Sequence, residues 1–138
     1  MFKDHLQLGE AINIKRDPSK SKALRKMAVA RIKVAEQVAL TGEVAPVIFD
    51  NIYEGVKSLL LAEMADRGFS PKNHKVLIAF SRDVLKLPRE MVEKLDAMRV
   101  LRNDIVYRGK AVADIKFVKG QIHFFKQVMA KLLELGAA

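Results

Sequence analysis

At 138 residues, half of them hydrophobic, the chain carries enough apolar surface for one core and is too short for two ordinary domains, so a single domain over 1–138 is expected. It has no cysteine, which excludes disulfides, thiol catalysis and cysteine-ligated zinc. The formal charge of +9 and a pI near 9.9 favour polyanionic partners, because lysine and arginine displace counterions condensed on a phosphate backbone.

In chain order, Phe2 to Leu8 can form a short helix. Asp17-Pro18 then supplies an N-cap and a first-turn proline for a long helix to about Leu40, closed by Thr41-Gly42. A second long helix covers about Ala45 to Arg67, with Gly68 as its stop. After Ser70-Pro71 a shorter helix is expected from about Asn73 to Lys86. Pro88 starts another, to about Tyr107, with Gly109 ending it. The last helix runs from about Asp114 to Leu135, where Ile115, Val118, Ile122, Phe125, Met129 and Leu132 keep the three-and-four spacing of a packed seam.

Short connections between amphipathic helices make neighbours antiparallel. The expected fold is therefore all-α, an up-and-down antiparallel bundle of four long helices plus one shorter member. No stretch alternates cleanly with period two, so strands are not expected. No apolar run reaches the length of a membrane helix and Met1 to His5 do not read as a signal peptide, so a soluble, cytoplasmic protein is expected. His5, His74 and His123 lie in no ligand pattern, and glycine-rich phosphate loops are absent; neither a metal nor a cofactor is expected.

The charges are unevenly placed. From Lys15 to Lys33 there are eight lysines and arginines against one acid, Asp17. On a helical wheel Leu24, Met27, Ala28, Val34, Ala35 and Val38 share one face of the first long helix, and Lys22, Arg25, Lys26 and Lys33 the other. Arg31 falls inside the apolar arc. The helix after Pro88 repeats that anomaly: Met91, Leu95, Met98, Leu101, Ile105 and Val106 define an arc with Arg102 near its centre, flanked by Arg99 and Asn103. A guanidinium there cannot lose its charge, so it pairs with an acid, reaches water along its stem, or lines a cleft. Glu63 and Asp66, also on an apolar arc, are candidate partners for Arg31 or Arg102. The residues alone leave a structural ion pair and a functional cation equally open.

The segment Leu101-Arg102-Asn103-Asp104-Ile105-Val106-Tyr107-Arg108-Gly109-Lys110 resembles the signature helix end of the HEPN superfamily, whose motif is an arginine, an adjacent polar residue and a histidine a few positions on. Arg102 and Asn103 match the first two; Tyr107 stands in the place of the histidine. Asn51-Ile52-Tyr53-Glu54 and Gly68-Phe69-Ser70-Pro71 with His74 are similar to other family members. The resemblance implies a homodimer in which the arginine-bearing helices meet in a basic cleft for RNA or a nucleotide. Arg102, Asn103 and Tyr107 would be its catalytic residues if it cleaves, and Arg99, Arg108, Lys110 and Arg31 the phosphate contacts.

It also implies a possible toxin-like pairing with a small nucleotidyltransferase antitoxin. Metal-independent RNA cleavage needs a proton acceptor and a cation for the developing phosphorane charge. A tyrosine, with an ordinary pKa of roughly 10, is a poor acceptor at neutral pH. Binding is therefore ranked ahead of the alternatives, an endoribonuclease or a non-catalytic helical interaction module. His74 and His123 are candidates to replace the motif histidine, each with a plain structural role as its competing explanation.

Overall fold

Asp17 opens the first long helix as its sequence requires: its carboxylate accepts the Lys20 N–H at 3.0 Å, and Pro18 follows in the first turn. In the computed structural model, which describes residues 1–108 and 114–137 apart from the side chains of 106–108, 136 and 137, this element is α2 (Pro18–Gln37). Around it lie α1 (Phe2–Gln7), α3 (Ala45–Arg67), α4 (His74–Asp83), α5 (Arg89–Arg108) and α6 (Ile115–Ala137). The chain is predominantly helical, as the periodicity requires.

Local chemistry sets the boundaries. Asn73 caps α4 by accepting the Val76 N–H at 3.1 Å, and Asp114 caps α6 by accepting that of Phe117 at 2.8 Å. Gly68 ends α3 in the left-handed region, at φ 78°. Helix α2 stops short of Leu40, and α4 stops at Asp83 rather than Lys86. Lys86 has a positive φ of 54°, and the turn around it sends Leu85 and Leu87 into the core.

One expectation fails. Strand β1 (Ala11–Asn13) pairs antiparallel with β2 (Phe69–Pro71), Ile12 opposite Ser70. Three residues are too few for period-two alternation to register. The pairing is set instead by its ends, where Ile14 N–H reaches Gly68 O at 2.8 Å and Lys72 N–H reaches Glu10 O at 2.7 Å. A Cβ on Gly68 would lie 2.7 Å from Ile14 O, so the same glycine that caps α3 lets the segment after β1 pack against it.

Helix directions follow from paired residues. Moving up α2, Arg25 meets Glu63 and Asp66 whereas Arg31 meets Asn51, so α2 and α3 are antiparallel. In α5, Arg102 meets Asp50 while Leu95 and Met98 share a small cavity with Val56 and Leu60, so α5 is also antiparallel to α3. Phe117 contacts Phe49, and Phe125 packs on Gly55, so α6 runs parallel to α3 across the diagonal of an up-and-down bundle. Helix α3 is the centre: Phe49, Ile52, Val56, Leu59 and Met64 are all buried.

Gly55 matters to that diagonal. An added Cβ would sit 2.9 Å from Cε2 of Phe125, a ring with no exposed surface. The buried stripe of α2 is also narrower than the wheel suggests: Ser21, Ala28, Ile32 and Ala35 face inward, while Met27, Val34 and Val38 are exposed. Three of these four residues, Ser21, Ala28 and Ala35, are small. Among the described residues, no helix is long and apolar enough to cross a membrane.

Candidate functional site

Asp50, Tyr53, Glu54 and Lys57 recur at three- and four-residue steps on α3 and so share one face, opposite Arg99 and Arg102 of α5. Arg102 is 15% exposed at its side chain. Its Nε–H donates to Asp50 Oδ1 at 3.0 Å, its Nη2 lies 3.6 Å from Glu54 Oε1, and its guanidinium carbon is 5.8 Å from the centre of the Tyr53 ring. Glu54 also holds Lys57, with 2.9 Å between Oε2 and Nζ. Arg99 turns to Asp96 of its own helix, at 2.9 Å.

Arg102 therefore pairs within its own bundle, with Asp50 and Glu54 and not with Glu63 or Asp66. Those two acids lie at the other end of α3. There Glu63, almost wholly buried, is held by Arg25 at 3.0 Å and Arg67 at 2.5 Å, and Asp66 accepts from Arg25 at 2.7 Å. Burial works to raise the Asp66 pKa, but hydrogen bonds from Arg25 and Ser21 and the charges of Arg25 and Arg67 outweigh it and hold the carboxyl below its ordinary range. Arg25 has thus left the exposed lysine face with which the wheel grouped it.

His74, at the start of α4, comes to the same site. Its ring centre is 6.3 Å from that of Tyr53, so Tyr53 has an imidazole and a guanidinium as neighbours. Burial, then the charges of Lys57 and Arg102, depress the His74 pKa below its ordinary value, with Glu54 opposing. These surroundings favour the neutral imidazole. Burial pushes the Tyr53 phenol up to about 12, against the charge of Arg102, which excludes it as a base near neutrality.

Of the residues expected from sequence, Arg102, Asn103 and Arg99 stand together on α5, all half-buried. Arg31 does not join them. Its Nη1 donates to Asn51 Oδ1 at 2.9 Å, Asn51 returns a bond to Arg31 O at 2.9 Å, and its buried Nε has no acceptor. The side chains of Tyr107 and Arg108, and Lys110 altogether, lie outside the described residues. Asp50 and Lys57 were missed by sequence reasoning; their places three before and four after Tyr53 on α3 were the available signal.

Charge is unneutralised elsewhere. Lys22, Lys26 and Lys33 fall within about 40° of one another on α2, all exposed, with Lys15 and Arg16 ahead of the helix and also exposed. None of these five has an acidic partner among the described residues, whereas Lys57, Arg99 and Arg102 each do. No cluster able to hold a metal ion occurs among the described residues. No protein-family model, curated protein or solved structure matches the chain.

Proposed function

We propose that this chain is a HEPN-like, RNA-binding protein that acts as a homodimer, with the α2 lysine stripe as its principal phosphate contact and the Arg102 cluster as a second, specific one. The carrying observation is the contrast in pairing: Lys22, Lys26 and Lys33 are exposed and unneutralised, while Arg102 is held by acids. Lys22 and Lys26 are about 6 Å apart along the helix axis, a spacing that lets neighbouring lysines reach successive phosphates of a single strand. The homodimer, and a nucleotidyltransferase as a further partner, rest on the resemblance of Arg102-Asn103 and its surroundings alone.

Arg102 contributes when a phosphate competes with Asp50, whose side chain is 40% exposed. Titration of single-stranded RNA at increasing salt tests the reading. Affinity should fall linearly on logarithmic axes, and an affinity that is absent at low salt would refute it.

A second reading, metal-independent cleavage, is favoured by one observation, the His74 ring beside Tyr53, which Arg102 also contacts, in surroundings that lower the His74 pKa. Such an imidazole can take the proton of a 2′-hydroxyl as that oxygen attacks phosphorus. Arg102 then neutralises the phosphorane, and the 5′-oxygen departs with a proton from water. Clean protein incubated with RNA in a chelator distinguishes the two: a cyclic phosphate end supports cleavage, intact RNA supports binding alone.

A further inference from the structure

Helices α2 and α6 are joined at one level by Glu36 and Lys126, whose Oε2 and Nζ are 3.1 Å apart. Toward the start of α2 the two helices leave a groove of about 760 Å³ over the C-terminal half of α3. That size lies within the range of small-molecule sites, about 300–1,000 Å³.

The groove is polarised along its length. Val29 of α2, Leu59 of α3 and Met129 of α6 line the inner part with apolar groups alone. Leu132 and Leu133 continue the α6 wall; Leu132 is buried, whereas Leu133 is 67% exposed. At the mouth, Arg16, Arg25 and Arg67 meet Glu63 and Asp66, so the cations exceed the acids by one.

The surplus lies with Arg16, which is exposed and has no acidic partner among the described residues. Its stem runs beside the end of α3, for a Cβ on Gly68 would be 3.6 Å from Arg16 Cγ. Arg67, the residue before Gly68, donates through Nη1 to Glu63 O and Oε2. Its Nε and Nη2 have no acceptor among the described residues, and its side chain is half-buried. Two guanidiniums with donors to spare therefore stand together at the mouth.

These features select an occupant. The inner walls offer no hydrogen bonds, so a sugar or a peptide main chain would be desolvated there without compensation, and a hydrocarbon would not. One surplus positive charge suits one negative charge, and a carboxylate fits the guanidinium fork. A tail laid along the groove would also cover Leu133.

We infer that the α2–α6 groove binds a free aliphatic carboxylate, its tail against Val29, Leu59 and Met129 and its head between Arg16 and Arg67. The inference rests neither on RNA binding nor on the Arg102 pairing.

Calorimetric titration of the full chain with decanoate, octanoate, decanol and acetate, all kept below micelle formation, tests it. Decanoate should bind about tenfold more tightly than octanoate, the effect of burying two methylenes, and acetate should not bind. Arg16→Gln should weaken decanoate by about tenfold and leave decanol unchanged. Leu133→Gln should weaken both. Both replaced side chains are exposed, so the melting temperature should hold in each variant. Absence of decanoate binding overturns the inference, as does unaltered affinity in both variants. So does loss of decanoate binding in Lys22→Glu, Lys26→Glu, Lys33→Glu with none in Arg16→Gln, which would place the anion on the lysine stripe. Sedimentation of Leu133→Gln decides against a second copy as the occupant: conversion of a dimer to a monomer by this change would give the groove to that copy and remove the ligand.

Discussion

Arg102 donates its Nε–H to Asp50 Oδ1 across 3.0 Å, tying α5 to the N-terminal half of α3. A fully buried pair broken on one side costs about 3–5 kcal/mol, an exposed one less than about 1. With Arg102 nearly covered and Asp50 40% exposed, the cost here should fall between these limits. Arg102→Gln and Asp50→Asn should each lower stability by about 1–3 kcal/mol in urea titration. Their double variant should lose less than the sum, and strict additivity would show that the pair is not energetically coupled.

Gly55 is expected to be intolerant of a larger residue, since its missing side chain is the space taken by Phe125. Gly55→Val should destabilise by about 1–3 kcal/mol through overpacking, despite the better helix propensity of valine. Chemical denaturation measures it. A variant as stable as the parent would mean that α6 can shift off α3 freely.

Gly68→Ala combines two penalties, a positive φ and a Cβ driven against Ile14 O. A loss of about 1–2 kcal/mol or more is expected from the backbone alone. Protection of the Ile14 amide against hydrogen exchange should fall with it, because that N–H is bonded to Gly68 O.

Acid should act through His74 first. Its pKa is lowered in the fold, so the unfolded chain binds the extra proton more readily as pH falls. The stabilisation is complete above the unfolded value of roughly 6.5 and is lost as pH falls through the folded one. Melting temperature should therefore drop between about pH 7 and pH 5, and His74→Asn should flatten that part of the profile. Asp66 and Asp83, whose folded pKa values are also lowered, add a further loss at more acid pH. An identical profile in His74→Asn would remove His74 as its source.

How much of this was legible in the chain differs by feature. Proline, glycine and capping residues marked every long helix, because each acts through its own backbone or the next turn. The β1–β2 pair escaped because its three-residue strands are held by bonds between residues some sixty positions apart. Arg102 stood out on the wheel, but its partner did not: Glu63 and Asp66 looked suitable by burial, and only the antiparallel register of α5 on α3 brings Asp50 opposite instead. Arg25 failed for a related reason. It borders the lysine face, yet its long stem lets the guanidinium reach around α2 to Glu63 and Asp66.

RNA binding through α2 is tested most directly by titrating single-stranded RNA with the parent chain and with a Lys22→Glu, Lys26→Glu, Lys33→Glu variant from about 50 mM to about 200 mM salt. Removing three phosphate contacts should weaken binding by more than about tenfold at low salt and make the logarithmic salt slope shallower by about 2. The melting temperature should hold, since all three lysines are exposed and unpaired. Equal affinity and equal slope in the two proteins would contradict the assignment of RNA to this face.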